Sequence, residues 1–206
     1  MNLSAVGGLP CRPITAVWYR AVEPQHLPEV LGYSHARRFA SRFFEGPHAA
    51  TPFDILYLAE NPLVALFEVG ALYGSLLIPG NVVANPAQSW LTINTHVQLT
   101  RVADLTDVSG SQIPLSTTAQ ELTGDWLGYQ LRSTSTSVSA PKGIAPTQEL
   151  GAEIYRSGVF EGFLTVSAKV PYQTVLGVFP ERIANGNFVR HSYTDSSGRL
   201  RVIQIP

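Results

Sequence analysis

Ile55-Leu56-Tyr57-Leu58-Ala59-Glu60-Asn61-Pro62-Leu63-Val64-Ala65-Leu66-Phe67-Glu68-Val69 is the most informative run in the chain. Its first five residues are apolar or aromatic and too few for a helix, so a short strand is predicted over Ile55–Ala59. Asn61-Pro62 then supplies a capping side chain and a proline at the first helical position. A helix is predicted from there to about Tyr73, with Gly74 and Pro79-Gly80 marking its end. Glu68 sits in the middle of this apolar segment. Its neighbours three and four positions away are Val64, Ala65, Ala71 and Leu72, and no basic residue on the helix can pair with it. A carboxylate there either reaches water at the helix edge or is held in a cleft by groups from elsewhere.

Outward from this run, the chain reads as strand-rich with helices at intervals. Upstream, Ile14–Val22 has the β-branched and aromatic content of an opening strand. The stretch from His26 to Pro52 is irregular, with room for one short helix. Downstream, strands are predicted at Leu76–Ala84, Ser89–Asn94 and Gln98–Val102, and short helices near Thr117–Leu122 and Asp125–Arg132. The Ser/Thr run Ser133–Ser139 reads as a surface loop or a substrate lid. A helix is predicted over Thr147–Ser157, capped by Thr147 and closed by Gly158. Strands at Phe163–Val166, Thr174–Phe179, Phe188–Tyr193 and Leu200–Ile205 complete the reading, with turns at Asn185-Gly186 and Ser197-Gly198. Strands and helices do not alternate regularly, so the class is α+β.

The 206 residues suit one substantial core, and 45% of them are hydrophobic. Only 14% are charged, against about 25% in typical soluble domains, which hints at a partner covering part of the surface. The net charge of −1 provides no drive toward nucleic acid. The closest basic cluster, Arg37, Arg38 and Arg42, suits a phosphate rather than a DNA backbone. Cys11 is the only cysteine, so no intrachain disulfide and no cysteine zinc site is expected, in keeping with a reducing compartment. The first ten residues lack a basic start and an apolar core, so they make a poor signal peptide. The apolar window Asn61–Gly80 carries Glu68 and internal glycines, so it is not expected to span a membrane. A cytoplasmic location follows as the expectation.

Other chemistry-bearing residues are individually ambiguous. Arg20, in Trp18-Tyr19-Arg20-Ala21, and Arg42, in Ser41-Arg42-Phe43-Phe44, are either packed surface arginines or a pair of forked cations able to grip a pyrophosphate. Tyr57 reads as a buried tyrosine. The five histidines, His26, His35, His48, His96 and His191, show no zinc spacing, so no metal site is expected. Neither a glycine-rich phosphate loop nor Gly-x-Ser-x-Gly occurs, which argues against nucleotide triphosphatases and α/β-hydrolases. No dinucleotide fingerprint is present, so a Rossmann dehydrogenase is not expected.

Taken in order, several blocks resemble the RES domain, a family named for its arginine, glutamate and serine. They are Val17-Trp18-Tyr19-Arg20-Ala21, Ser41-Arg42-Phe43, the run Ile55–Val69, Thr147-Gln148-Glu149-Leu150-Gly151, and Glu161-Gly162-Phe163 leading to Val166-Ser167-Ala168. The resemblance spans about residues 16–167 of what reads as a single domain over 1–206, with strands in 168–206 completing the fold. It departs from many relatives around the second arginine, where this chain has Ala40-Ser41-Arg42-Phe43-Phe44-Glu45-Gly46. The resemblance implies an ADP-ribosyltransferase-like fold of mixed sheets with flanking helices. It also implies a toxin that depletes cellular NAD by cleaving the nicotinamide–ribose bond and is neutralised by an Xre-like antitoxin. NAD is then the substrate and no further cofactor is required. Carried over, Arg20 and Arg42 bind the pyrophosphate, Tyr57 packs against the nicotinamide or its ribose, Glu68 stabilises the reacting ribose and Ser167 orients the ribose or Glu68. Transfer of ADP-ribose to a target protein is the alternative, and a non-catalytic binding domain of similar fold is a third reading.

Overall fold

The computed structural model describes residues 1–33, 37–47, 49–87, 89–127, 143–195 and 197–206. Nine strands are described: β1 Cys11–Val22, β2 Leu56–Ala59, β3 Leu72–Tyr73, β4 Val83–Ala84, β5 Leu91–Asp104, β6 Gly162–Val166, β7 Thr174–Val178, β8 Phe188–Thr194 and β9 Leu200–Ile205. Three α-helices lie wholly within the described residues: α1 Pro62–Glu68, α2 Ala119–Leu122 and α3 Pro146–Arg156. Seven strands form one sheet in the order β1-β2-β7-β6-β5-β8-β9, and β1 also pairs with β5. That pairing closes β1, β2, β7, β6 and β5 into a barrel, from which β8 and β9 extend. Only β5 and β6 run parallel, so the sheet is mixed. The α+β class expected from the sequence is the one the chain adopts.

The barrel closes because β5 is long. Its register with β1 runs from Val22↔Leu91 to Cys11↔Ala103, while its other edge serves β8 at His96–Gln98 and β6 at Val102–Asp104. The sequence predicted two strands here, Ser89–Asn94 and Gln98–Val102, with a gap at 95–97. In fact Ile93, Thr95, Val97 and Leu99 are buried in strict alternation. The Thr95 hydroxyl is accommodated by donating to the Trp18 carbonyl at 2.9 Å. Ile14, Trp18, Leu56, Leu58, Val97, Leu164 and Leu176 share one buried cluster. A second cluster joins α3 to Phe43, Phe53, Phe163 and Phe179, and a third seats α1 on Ala21, Ala59 and Val175.

Several boundaries differ from expectation. Helix α1 begins as predicted, with the Asn61 side chain accepting from the Val64 amide at 3.0 Å, but it ends at Glu68. Gly70 adopts a φ of +72° and donates to the Phe67 carbonyl, and Ala71 donates to Leu66. These two bonds form a Schellman cap, which stops the helix a turn before Tyr73. The strand expected over Leu76–Ala84 shrinks to Val83–Ala84, paired with β3. Asn81 folds back on the chain, its side chain accepting from the Ser75 amide, and leaves Leu77 and Ile78 exposed in a turn. Helix α3 starts one residue early, with Ala145 at the N-cap and Thr147 buried in the first turn rather than capping it. The Gln148 side chain instead reaches back to accept from the Ala145 amide at 3.1 Å. Ser133–Ser139 and most of the helix expected at Asp125–Arg132 lie outside the described residues. Among the described residues, no helix is long and apolar enough to cross a membrane.

Candidate active site

Strands β1 and β2 share a single register pair, Tyr19↔Ala59, whereas β2 and β7 share four. The barrel is therefore thinnest at this seam. A cleft of about 1060 Å³ opens there, lined on one side by Tyr19–Val22 and on the other by Tyr57–Ala59. This is the upper end of the range for small-molecule and cofactor pockets. Arg20, Arg42, Tyr57 and Glu68 all line it. Ser167 is buried and stands behind Glu68, while the next two residues, Ala168 and Lys169, reach the cleft. The structure thus brings together five side chains spread over nearly 150 positions of sequence.

Glu68 is the last residue of α1, and the Schellman cap fixes where it points. Ser167, just past the end of β6, donates its hydroxyl to Glu68 Oε1 at 2.5 Å. The same Ser167 oxygen accepts from the amides of Lys169 at 3.1 Å and Val170 at 3.0 Å. Its one proton is committed to the carboxylate and both its lone pairs to amides, so the hydroxyl positions Glu68 and is not poised as a nucleophile. Glu68 Oε2 accepts no hydrogen bond among the described residues. An acidic side chain at the carbonyl end of a helix works against the helix dipole, a local cost typical of functional positions.

Arg20 shares one face of β1 with Trp18 and Val22. Its Nη2 donates to the Gly32 carbonyl at 3.1 Å, and its Nη1 is buried with no partner among the described residues. Burial pushes this guanidinium down to about 10, so at neutral pH it remains a cation. Arg42 is buried at the head of a tight turn, with Nη1 donating to the Val166 carbonyl at 3.1 Å and more weakly to Leu122 at 3.5 Å. Neither arginine makes an ion pair among the described residues. Arg37, by contrast, is spent on Asp54 at 2.8 Å and on Glu181, so the basic cluster read from the sequence splits and only Arg38 and Arg42 face the cleft. Tyr57 hydrogen-bonds Ser41 at 3.0 Å. Burial pushes its hydroxyl up to about 12, the Ser41 bond and the Arg42 charge opposing and the Glu68 charge adding to the rise.

Two arginines without an ion pair and a carboxylate with one oxygen unbonded among the described residues can hold an anion beside a developing positive charge. The sequence reading missed Ser41, Lys169, Trp90 and Trp126, all of which line the same cleft. Ser41 and Lys169 lie one and two positions from Arg42 and Ser167, which is a usable signal; the tryptophans carry none, because an isolated tryptophan reads as core.

A family model for the RES domain matches residues 17–199, which takes in β8 as well as the cleft. No curated protein matches the chain.

Proposed function

We propose, for a chain that belongs to the RES domain family, that the cleft binds NAD and cleaves its nicotinamide–ribose bond. The family is consistent with an NAD-related domain of the toxin–antitoxin type. The observation that carries the finer reading is the contrast within one cleft: among the described residues, Arg20 has a buried guanidinium nitrogen without a partner, and Glu68 is held by Ser167 with Oε2 unbonded.

In this reading Arg20 and Arg42 take the pyrophosphate, whose oxygens supply the acceptors that Arg20 Nη1 lacks. Tyr57 flanks the nicotinamide side. Glu68 Oε2 faces the ribose, accepting from a ribose hydroxyl and stabilising the oxocarbenium-like centre that forms as the bond to nicotinamide breaks. The bonding pair leaves with neutral nicotinamide. Water then adds to the anomeric carbon and releases a proton, giving ADP-ribose; with inorganic phosphate as acceptor the product is ADP-ribose phosphorylated at that carbon. The carbonyl end of α1 adds negative potential at the same point, so what costs helix stability favours the reaction. The scheme calls on NAD as substrate and on no further cofactor. The single domain adopts an ADP-ribosyltransferase-like arrangement and acts in the cytoplasm. A small Xre-like antitoxin neutralises it, in keeping with the sparse surface charge.

Chromatography of NAD incubated with the purified protein, with and without phosphate, tests this reading. Nicotinamide with ADP-ribose or its phosphorylated form is the expected outcome, and phosphate dependence names the acceptor. Intact NAD contradicts it, and label transferred to a protein band moves the assignment to ADP-ribosyl transfer.

A further inference from the structure

Gln148 lies outside the cleft, yet its side chain bonds the turn that presents Arg42. The turn is short: the Ser41 amide donates to the Phe44 carbonyl at 2.8 Å and the Phe44 amide returns to Ser41 at 3.2 Å, leaving Arg42 and Phe43 at its head. Gln148, in the first turn of α3 and 1% exposed, donates through Nε2 to both carbonyls that flank this head, Ser41 at 2.9 Å and Phe44 at 3.2 Å. Its Oε1 accepts from the Ala145 amide, so the orientation of the amide is fixed by its partners on both sides. Gly151, one turn further along α3, lets the helix backbone lie against the turn: a Cβ there would sit 2.1 Å from the Phe43 carbonyl oxygen. The turn then hands its position on. Ser41 bonds Tyr57 at 3.0 Å, and Arg42 bonds the Val166 carbonyl, one residue before the serine that holds Glu68.

We infer that Gln148 is a positioning residue for substrate binding, setting the Arg42 turn from behind and acting on the dinucleotide only through it. The inference rests on the NAD reading above and gives a role to Thr147-Gln148-Glu149-Leu150-Gly151, a block far in sequence from every residue of the cleft. Helix α3 serves as the rigid back wall of the anion-binding corner. Gln148 gives each of these carbonyls a second donor beside the amide that crosses the turn, so replacing it removes the side-chain tie between α3 and the turn and leaves the turn free to shift.

A double-mutant cycle in NAD turnover tests the inference. Gln148→Met keeps the buried volume and removes the donors; it should raise KM for NAD roughly tenfold, the scale of one displaced charge-assisted bond, with kcat within about twofold. In an Arg42→Ala background the same change should add less than about twofold, because the residue it acts through is gone. Equal effects in both backgrounds, or a fall in kcat with KM unchanged, overturn it. Amide hydrogen exchange on the wild-type protein provides an arm that needs neither a variant nor NAD. The Ser41 and Phe44 amides should be protected to the degree of α3, and loop-like exchange there overturns the inference. Absence of NAD turnover by the wild type, with those amides protected, instead removes the NAD reading and the substrate half of this inference with it.

Discussion

Glu161 and Glu68 are both carboxylates set among apolar neighbours, and their surroundings separate them. At the junction of β5, β6 and β8, Glu161 is fully buried and accepts five hydrogen bonds, from Thr100 amide and hydroxyl, the Arg101 and Ala184 amides, and Asn187. Burial alone would raise its pKa, but the bonds from Ala184, Asn187, Arg101 and Thr100 bring it below the ordinary glutamate value. At the seam between β1 and β2, Glu68 accepts one bond and faces a cleft. The arginines divide in the same way: Arg37 is paired with Asp54 and Glu181, whereas Arg20 retains a nitrogen with no partner among the described residues. A saturated charge holds structure together, and an unsaturated one waits for a ligand.

This contrast can be broken most forcefully at the saturated end. Glu161→Gln should cost roughly 3 kcal/mol or more of stability, since an amide NH₂ must face donors that now meet a carboxylate oxygen. Urea unfolding measures this, and an unchanged midpoint contradicts the structural role. The pH dependence follows from the lowered pKa. A carboxyl depressed in the folded state contributes stability that is present above the ordinary value of 4.5 and lost as pH falls through the folded value. Glu161→Gln should therefore flatten the loss of stability below about pH 4.5.

At the open end, Arg20→Lys should weaken NAD binding about 10- to 100-fold, a loss of about 1.5–3 kcal/mol, because an ammonium cannot bond Gly32 and the ligand with a rigid fork. Calorimetry checks this, and affinity retained by lysine makes Arg20 a simple charge. Ser167→Ala should slow turnover about tenfold and cost about 1 kcal/mol of stability, the worth of an ordinary hydrogen bond, by releasing Glu68 and two loop amides. The smallest effect sharpens the comparison. Glu68→Gln should leave the fold unharmed or stabilise it by about 0.3–1 kcal/mol, because it removes a negative charge from the last turn of α1. Thermal unfolding that shows a clear loss would place Glu68 with Glu161 instead.

The sequence made α1 legible at its start, where Asn61-Pro62 is a local signal, but not at its end. Gly70 and Gly74 both lie within reach of the terminus, and only packing of Ala71 and Leu72 decides between them. The long β5 was legible in the alternation of Ile93, Thr95, Val97 and Leu99, although two separate strands were predicted across it. In the site, Glu68 stood out because a charge among apolar helical neighbours is a local anomaly. Arg20, Arg42 and Ser167 were found through the family resemblance, since nothing in their own neighbourhoods separates a packed arginine or a loop serine from a functional one. The roles of Gln148 and Glu161 were out of reach, because each depends on bonds to residues 23 to 107 positions away.

The account turns on whether the unsaturated carboxylate drives NAD cleavage. Nicotinamide release should therefore be followed at saturating NAD for wild-type protein and for Glu68→Gln, with melting curves recorded on the same samples. The prediction is release by the wild type and a loss of about 10²–10³ in rate for the variant at undiminished stability. A folded Glu68→Gln protein that releases nicotinamide at the wild-type rate would contradict it.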